Sequence, residues 1–450
     1  MGSGLTFKGG VHPLPKLHHG KLQTESCPIE VMAPPAAVSI PCAQHIGAPA
    51  MPIVSVGDHV KIGQKIAEPG GFVSVPVHAS VSGTVKEIVK KPNKICVDVT
   101  NIVIENDFQE EISEEVQPKG SLDQLEPDQI KKIILEAGNV GLGGAGFPTH
   151  VKLYPPEEKP ISTVIVNGAE CEPFLTADHR VMLEHPEGVI FGAKAVMKAL
   201  GVKLGFIAVE DNKPDAIKAL ERALDTDSIK IKVLQTKYPQ GSEKQLIDSI
   251  TGRQVPSGGL PMDVGVVVVN ASSCKAISDA IHTGMPIIDR VVTVTGHVNE
   301  PKNLLVRIGT PIKEVIELCG GFQPGVKRFI AGGPMMGAAL GHMNGVVTKT
   351  TSGLLALGED HIQNVQKSSC IHCGRCMRAC PMRLIPFKIN EASEHMRWDV
   401  AEKYDAMDCM GCGCCSFICP AHKPLAQSIR LAKDQIAAKR MEEKRKKSNG

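Results

Sequence analysis

The stretch STVIVNGAECEPFLTADHR (162–180) runs from an unbroken apolar segment straight into a loop crowded with acids. An extended segment with apolar residues at consecutive positions has to bury both of its faces. Its neighbours alternate in kind: DQIKKIILEAG, EGVIFGAKAVMKALG and KPDAIKALERAL have helical periodicity, whereas KLGFIAVED, IKIKVLQTK and VGVVVVNAS read as strands. Strands alternating with helices predict an α/β domain over 122–285 with a largely parallel sheet. Such sheets bind ligands beyond the carboxyl ends of their strands. At that edge the sequence gathers Glu170 and Glu172, then Tyr238, Gly241 and Glu243 of YPQGSEKQLI, then Asn270 and Ser273 of VVVVNASSC.

A second stretch, GNVGLGGAGFPTHVK (138–152), spaces Gly141, Gly143 and Gly146 as G-x-G-x-x-G, with Gly144 among them. Glycines let backbone N–H groups come close to a phosphate, and Lys152 adds a point charge. The loop follows a predicted helix, however, whereas a dinucleotide fingerprint follows a strand. By itself the pattern fits a phosphate cradle and a flexible surface loop equally well.

Residues 1–110 are rich in Pro and Gly and break into short alternating runs, which predicts a small all-β domain with tight turns. They resemble the barrel-sandwich fold of biotinyl and lipoyl carriers. Where those carriers present a modifiable lysine this chain reads VHASVSG (77–83), so a structural or docking role is expected. The acidic stretch ENDFQEEISEEVQPKGS (105–121) reads as a solvated linker. Residues 286–350 return to alternating runs and close a short helix, TPIKEVIELCGG, on glycine. They resemble the soluble-ligand-binding β-grasp module, with a role as a β-rich spacer expected. From 353 to 440 a helical domain is expected, ending in a helix with Leu425, Ile429, Ala432 and Ile436 at helical spacing and a charged, solvated tail.

That last segment holds CIHCGRCMRACP (370–381) and CMGCGCCSFICP (409–420), which place nine of the 15 cysteines in two copies of C-x-x-C-x-x-C-x-x-x-C-P. Three thiolates at two-residue gaps wrap three corners of an iron–sulfur cubane, and the proline turns the chain away after the fourth. In this pattern the fourth cysteine serves the other cluster. The expected ligand sets of two [4Fe–4S] clusters are therefore Cys370, Cys373, Cys376 and Cys419, and Cys409, Cys412, Cys415 and Cys380. Cys414 falls on a spacer position. Two structural zinc sites are the alternative, but zinc motifs separate their cysteine pairs by a longer loop. The intervening 381–408 reads as helix, so the module is expected to be an α-helical ferredoxin. Two clusters make a wire for single electrons, and another part of the chain has to supply them.

A chain of 450 residues is long enough for three or four domains. A formal net charge of +2 and 3% aromatics leave neither the basic footprint nor the stacking surface of a nucleic-acid binder. The longest stretch free of charged side chains, 31–57, is cut by five prolines, so no membrane span is expected, and the N-terminus shows no apolar signal core. The other six cysteines lack the rhythm of a disulfide framework, which fits a reducing compartment.

The phrases G-L-G-G-A-G-F-P-T with Lys152, N-G-A-E-C-E-P, YPQGSEKQLI, GGVHPLPKL and AGGPMMG, with the doubled cysteine phrase, resemble the flavin- and NADH-binding subunit of respiratory NADH dehydrogenase. More closely still they resemble the RnfC subunit of the Rnf complexes, ion-pumping ferredoxin:NAD oxidoreductases, over essentially the whole chain. This resemblance implies a multidomain α/β plus β architecture. Its order is a barrel-sandwich domain (1–110), a Rossmann-like flavin/NADH domain (122–285), an SLBB-like β-grasp module (286–350) and a di-cluster helical ferredoxin (353–440). It implies FMN, non-covalent because the S-[GT]-A-T flavinylation phrase is absent. The glycine loop, Gly141, Gly143, Gly144 and Gly146 with Phe147, is implied to hold FMN and face the nicotinamide. Lys152 is implied at the phosphate and Asn167 and Asn270 at the flavin. Glu172 is implied near NADH and Glu243 by the nucleotide, with Glu170, Tyr238 and Gly241 in the same loops. The respiratory subunit has one cluster where two are expected here, and its glycine-loop arginine and its aspartate in the acidic loop are Leu142 and Ala169 in this chain.

The implied activity exchanges hydride between NAD(H) and FMN and single electrons with the clusters, linking ferredoxin oxidation to NAD reduction. Implied partners are the other subunits of a membrane redox complex, one an iron–sulfur subunit that accepts from ferredoxin, at the cytoplasmic face of the membrane. The competing readings are a soluble flavin–iron–sulfur dehydrogenase for another substrate and a scaffold with idle clusters. The intact glycine loop and acidic pair weigh against the scaffold.

Overall fold

The computed structural model describes residues 4–13, 20–92, 97–361 and 366–448. Thr163–Gly168 is an interior strand of a four-stranded sheet ordered Ile229–Leu234, Gly205–Glu210, Thr163–Gly168, Val266–Asn270, with every neighbouring pair parallel. Its unbroken apolar run has a direct cause. Val164 and Val166 join the core beneath the helices Pro186–Leu200 and Ala271–His282, while Ile165 joins the opposite core with Leu246 and Ile247 of the helix Glu243–Thr251. The first two helices touch closely at Gly192, where a Cβ would lie 2.0 Å from the Cys274 carbonyl oxygen. Register sets Asn270 beside Asn167 at the carboxyl end of the sheet.

The barrel-sandwich region comprises two antiparallel sheets, one ordered Ala37–Pro41, Asp98–Asn106, Gly83–Pro92, His59–Val60 and the other Met51–Pro52, Lys65–Glu68, Val77–His78. Its VHASVSG turn is buried, and Ser80 donates to the Ile308 carbonyl at 2.6 Å, so the turn docks on the β-grasp module and presents nothing to solvent. The expected linker 105–121 is mostly exposed yet anchored: Ile62 and Ser113 exchange backbone bonds with Glu111 and Ile62 at 2.7 and 2.9 Å.

Two expected boundaries change. The β-grasp sheet is six-stranded, ordered Ile29–Val31, Lys302–Arg307, Asp289–Gly296, Gly353–Leu357, Arg328–Ala331, Ala338–Leu340. Gly353–Leu357, expected to open a helical domain, is fully buried and sits inside this sheet, parallel to Asp289–Gly296. A five-residue apolar run is too short for its period to separate strand from helix. Three segments of residues 1–110 also pair outside the two barrel-sandwich sheets. Leu5 extends the edge strand Ile229–Leu234 of the α/β sheet, Val11 pairs with Tyr238, and Ile29–Val31 joins the β-grasp sheet.

Beyond 366 the chain is helical as expected, with Pro386–Glu394 and Trp398–Lys403 between the two cysteine phrases. Leu425, Ile429, Ala432 and Ile436 of the final helix Leu425–Ser448 are buried against Leu384, Ile389 and Ala401. Among the described residues no helix is long and apolar enough to cross a membrane.

One buried lysine ties three regions together. Lys349, before the Gly353 strand, donates to the Gly138 carbonyl at 2.7 Å and to the Pro76 carbonyl at 3.3 Å, joining the β-grasp module to the α/β and barrel-sandwich domains. Burial lowers its amine to about 7 from 10.5. The folded state thus holds fewer protons than the unfolded state between pH 7 and 10.5, and Lys349 adds stability as pH rises through that window. We expect the stability of the natural chain relative to Lys349→Met to grow between pH 7 and 9 by up to about 1.4 kcal/mol per pH unit in denaturant titrations. A pH-independent difference would mean that the amine keeps its ordinary proton affinity.

Candidate functional site

The glycine loop lies between the helices Pro127–Glu136 and Thr149–Lys152 and closes on itself, with the Gly141 N–H donating to the Phe147 carbonyl at 2.9 Å. Ser273, in the first turn of Ala271–His282, fixes it to that helix: its hydroxyl accepts from the Leu142 N–H at 3.0 Å and donates to the Val140 carbonyl at 2.7 Å. Gly146 has φ +69, and a Cβ there would meet Thr350 at 2.6 Å, so this glycine shapes the loop. Gly143 and Gly144 are exposed. A Cβ on Gly143 would lie 2.3 Å from Asn270 Nδ2, whereas one on Gly144 meets nothing within 4 Å. Gly143 is therefore demanded by the protein itself, and Gly144 leaves open space in front of the loop. Leu142, where the respiratory relative has arginine, is buried in the core shared with the barrel-sandwich domain. An arginine approaches from elsewhere: buried Arg290 donates to the Leu142 carbonyl at 3.1 Å.

The strand ends supply the remaining groups. Asn270 caps its helix by accepting from the Ser273 N–H at 3.2 Å and donates to Asp178 at 2.7 Å, while Ser272 also donates to Asp178. Asn167 donates to the Gly241 carbonyl at 2.7 Å. Lys152 donates to Glu243 at 2.8 Å and to the Val268 carbonyl at 2.9 Å, with its amine 6.0 Å from the centre of the Phe147 ring. The glycine loop, Phe147, Lys152, Asn167, Gly241, Glu243 and Asn270 thus gather at one edge, and the expected phosphate-binding and acidic residues form an ion pair.

The acidic loop is turned inward. Glu170, at φ +45, caps the helix Ala177–Glu184 by accepting from the Asp178 and His179 N–H groups at 2.7 and 3.1 Å. Glu172 was expected to face the nucleotide. Its two carboxylate oxygens instead accept from the Met335 and Met336 N–H groups at 3.1 and 2.9 Å, bolting the AGGPMMG loop of the β-grasp module to the strand end. Burial raises its carboxyl to about 7 against the pull of those two bonds. Two lysines organise the loop from below. Lys21 donates to the carbonyls of Glu170, Glu172 and Leu175, and Lys213 to that of Ala169 at 2.7 Å. Burial lowers the Lys21 amine and raises the Glu170 carboxyl. Neither lysine, nor Asp178, nor Arg290 stood out in the sequence, because each works through tertiary contacts far away in the chain.

Tyr238 does not line the open edge. It is buried, and its hydroxyl donates to the Cys412 carbonyl at 2.9 Å, joining the α/β domain to the cysteine module. Within that module the sulfurs border two separate cavities. One is lined by Cys370, Cys373, Cys376 and Cys419, and the other by Cys380, Cys409, Cys412 and Cys415 together with Cys414. The fourth cysteine of each phrase thus lies at the other phrase's cavity. The Cys414 thiol lies 3.9 Å from the Tyr238 carbonyl. Among the described residues no three cysteine sulfurs lie mutually within 4.8 Å. Thiolates on one tetrahedral zinc would be about 3.8 Å apart.

Comparisons with known proteins find four family matches along the chain. The Nuo51 FMN-binding domain family matches 134–279, the RnfC barrel sandwich hybrid domain 5–109, the SLBB domain 291–339 and a 4Fe-4S dicluster domain 369–423. The chain is 48% identical to the C-subunit of the Na(+)-translocating ferredoxin:NAD(+) oxidoreductase complex of Acetobacterium woodii, covering 97% of this chain and 98% of that protein. It is 46% identical to the C-subunit of the proton-translocating complex of Clostridium ljungdahlii, over 98% and 96% of the two chains. It is 40% identical to the C-subunit of the ion-translocating oxidoreductase complex of Rhodobacter capsulatus, over 96% and 83%. With likeness of this extent over nearly its whole length, the chain belongs to the RnfC family, the C-subunits of the ion-translocating ferredoxin:NAD(+) oxidoreductase complexes.

Proposed function

We propose that this chain is the peripheral NAD(H)-reacting subunit of a membrane redox complex, using FMN at the edge of its Rossmann-like sheet and two [4Fe–4S] clusters in its helical module. The observation that carries this reading is the contact of Tyr238 with Cys412, which sets the sheet edge and the second cysteine cavity side by side.

The open space before Gly144, the neighbouring amides Asn167 and Asn270 and the amine of Lys152, which now pairs with Glu243, fit a flavin whose phosphate Lys152 would hold. Flavin exchanges two electrons as hydride with nicotinamide and one at a time with iron–sulfur groups, which is the conversion this pairing of sites requires. The chain's own residues supply position and electrostatics. Ser273 and Arg290 hold the glycine loop, and Phe147 borders the side from which nicotinamide approaches. Glu172 acts on the nucleotide through the loop it pins, and Glu170 and Lys21 keep that strand end fixed. The eight cysteines divide as Cys370, Cys373, Cys376 and Cys419, and Cys409, Cys412, Cys415 and Cys380. Held by these cysteines, the clusters would supply single-electron transfer between the flavin, which would reduce NAD⁺ with two electrons and a proton, and an iron–sulfur partner subunit at the cytoplasmic face that accepts from ferredoxin.

Gly144→Val tests the flavin reading. Since no protein atom lies near its Cβ, stripped Gly144→Val and stripped natural chain should unfold within about 0.5 kcal/mol of each other, while the variant loses bound FMN. Normal FMN content in Gly144→Val would remove the flavin from this loop. Acid or heat should release the flavin of the natural chain as free FMN, and flavin retained on the denatured polypeptide would contradict non-covalent binding.

For the clusters, Cys412→Ser should lower iron and sulfide, whereas Cys414→Ser should leave both unchanged after anaerobic purification. Equal iron in the two variants, or stoichiometric zinc in place of iron, would refute the assignment.

A further inference from the structure

The geometry points to a binding site for one divalent transition-metal ion formed by His297, Asp360 and His361, apart from the cysteine cavities. The three residues meet where two strands of the β-grasp sheet end together. Asp289–Gly296 and Gly353–Leu357 run parallel with Gly296 beside Ala356, so His297 and the turn Glu359–His361 leave the sheet at the same end. Gly358 permits the close approach, since a Cβ there would lie 2.4 Å from His297 Cε1.

His297 Nε2 is 2.9 Å from Asp360 Oδ1, and His361 Nδ1 is 2.9 Å from Asp360 Oδ2. One ligand atom from each residue lies within 4.8 Å of the other two, the only such group among the described residues. Adjacent ligands on an octahedral ion with bonds of about 2.1 Å are about 3.0 Å apart, so little movement is needed to admit one. His361 Nδ1 is buried, with the Asp360 carboxylate 2.9 Å away. A neutral imidazole beside a carboxylate offers its lone pair to a cation that both can bind. The Phe174 ring packs edge-on against His361 with centroids 5.5 Å apart, restraining the imidazole.

Two imidazoles and one carboxylate with further positions open to water suit Fe²⁺, Co²⁺, Ni²⁺ or Zn²⁺ more than Mg²⁺ or Ca²⁺, which prefer oxygen. An ion here ties the ends of two neighbouring strands just before the chain crosses to the cysteine module.

The test uses the full chain loaded with clusters and flavin, dialysed against Zn²⁺ alone, with zinc, iron, sulfide and flavin determined together. One zinc per chain beyond the iron is expected. His297→Ala and His361→Ala should each weaken zinc binding at least about tenfold with iron, sulfide and flavin unchanged. Asp360→Asn, close in shape and exposed in the native chain, guards against loss through misfolding and has to weaken zinc binding too. Equal zinc in the natural chain and these variants, or no zinc retained by a natural chain with intact clusters, overturns the proposal.

Discussion

A phenol hydroxyl that is cut off from water has to find an acceptor, and Tyr238 finds the Cys412 carbonyl at 2.9 Å. Every polar atom of Tyr238 is engaged. Its N–H and carbonyl exchange bonds with Val11 at 2.9 and 2.8 Å, so one residue joins the N-terminal segment, the sheet edge and the cysteine module. Sliding the module away would strand a buried hydroxyl and a buried carbonyl, at about 1–3 kcal/mol each. Nearby contacts reinforce the junction: Gly10 donates to the Ala379 carbonyl at 2.9 Å, and Gln245 donates to the Pro381 carbonyl at 3.3 Å. A redox chain needs fixed spacing between its sites, and these bonds fix it.

The same logic governs the strand end that faces the glycine loop. Glu170 and Phe174 adopt φ of +45 and +70, conformations that side chains with a Cβ avoid. The loop is held there from outside. Lys21 draws three carbonyls around one ammonium, and Glu170 and Glu172 are spent on backbone N–H groups. Charged side chains that a sequence offers as ligand contacts thus serve to hold the backbone, leaving Asn167, Asn270, Gly144 and Lys152 at the open edge. The GGVHPLPKL segment makes sense in the same terms where it is described, since Gly9, Gly10 and Val11 lie against the cysteine module and Tyr238; its residues 14–17 fall outside the described residues.

Local chemistry made most of the fold legible in the sequence. Consecutive β-branched residues in Thr163–Gly168 mark a strand covered on both faces, and cysteines at two- and three-residue gaps mark cavities bordered by thiols. What escaped the sequence is tertiary. Nothing local distinguishes Gly353–Leu357 as a central strand, because its partner lies about sixty residues earlier in the chain. Glu172 beside a glycine-loop motif looks like a ligand contact until Met335 and Met336 arrive from the β-grasp module. Lys349 and Arg290 are ordinary cations in the sequence, and only burial among the carbonyls of other domains gives them their roles.

The proposed route between nicotinamide and the clusters runs through flavin held at the glycine loop. It is tested most directly by reducing the anaerobic chain chemically, removing excess reductant and mixing it with NAD⁺ while cluster absorbance and NADH are followed together. The FMN-loaded chain should regain oxidised-cluster absorbance as NADH appears, one NADH for every two electrons, and the flavin-stripped chain should do neither. Cluster reoxidation by NAD⁺ at the same rate without FMN, or flavin turnover that leaves the clusters reduced, would mean that electrons do not pass between nicotinamide and the clusters through this flavin.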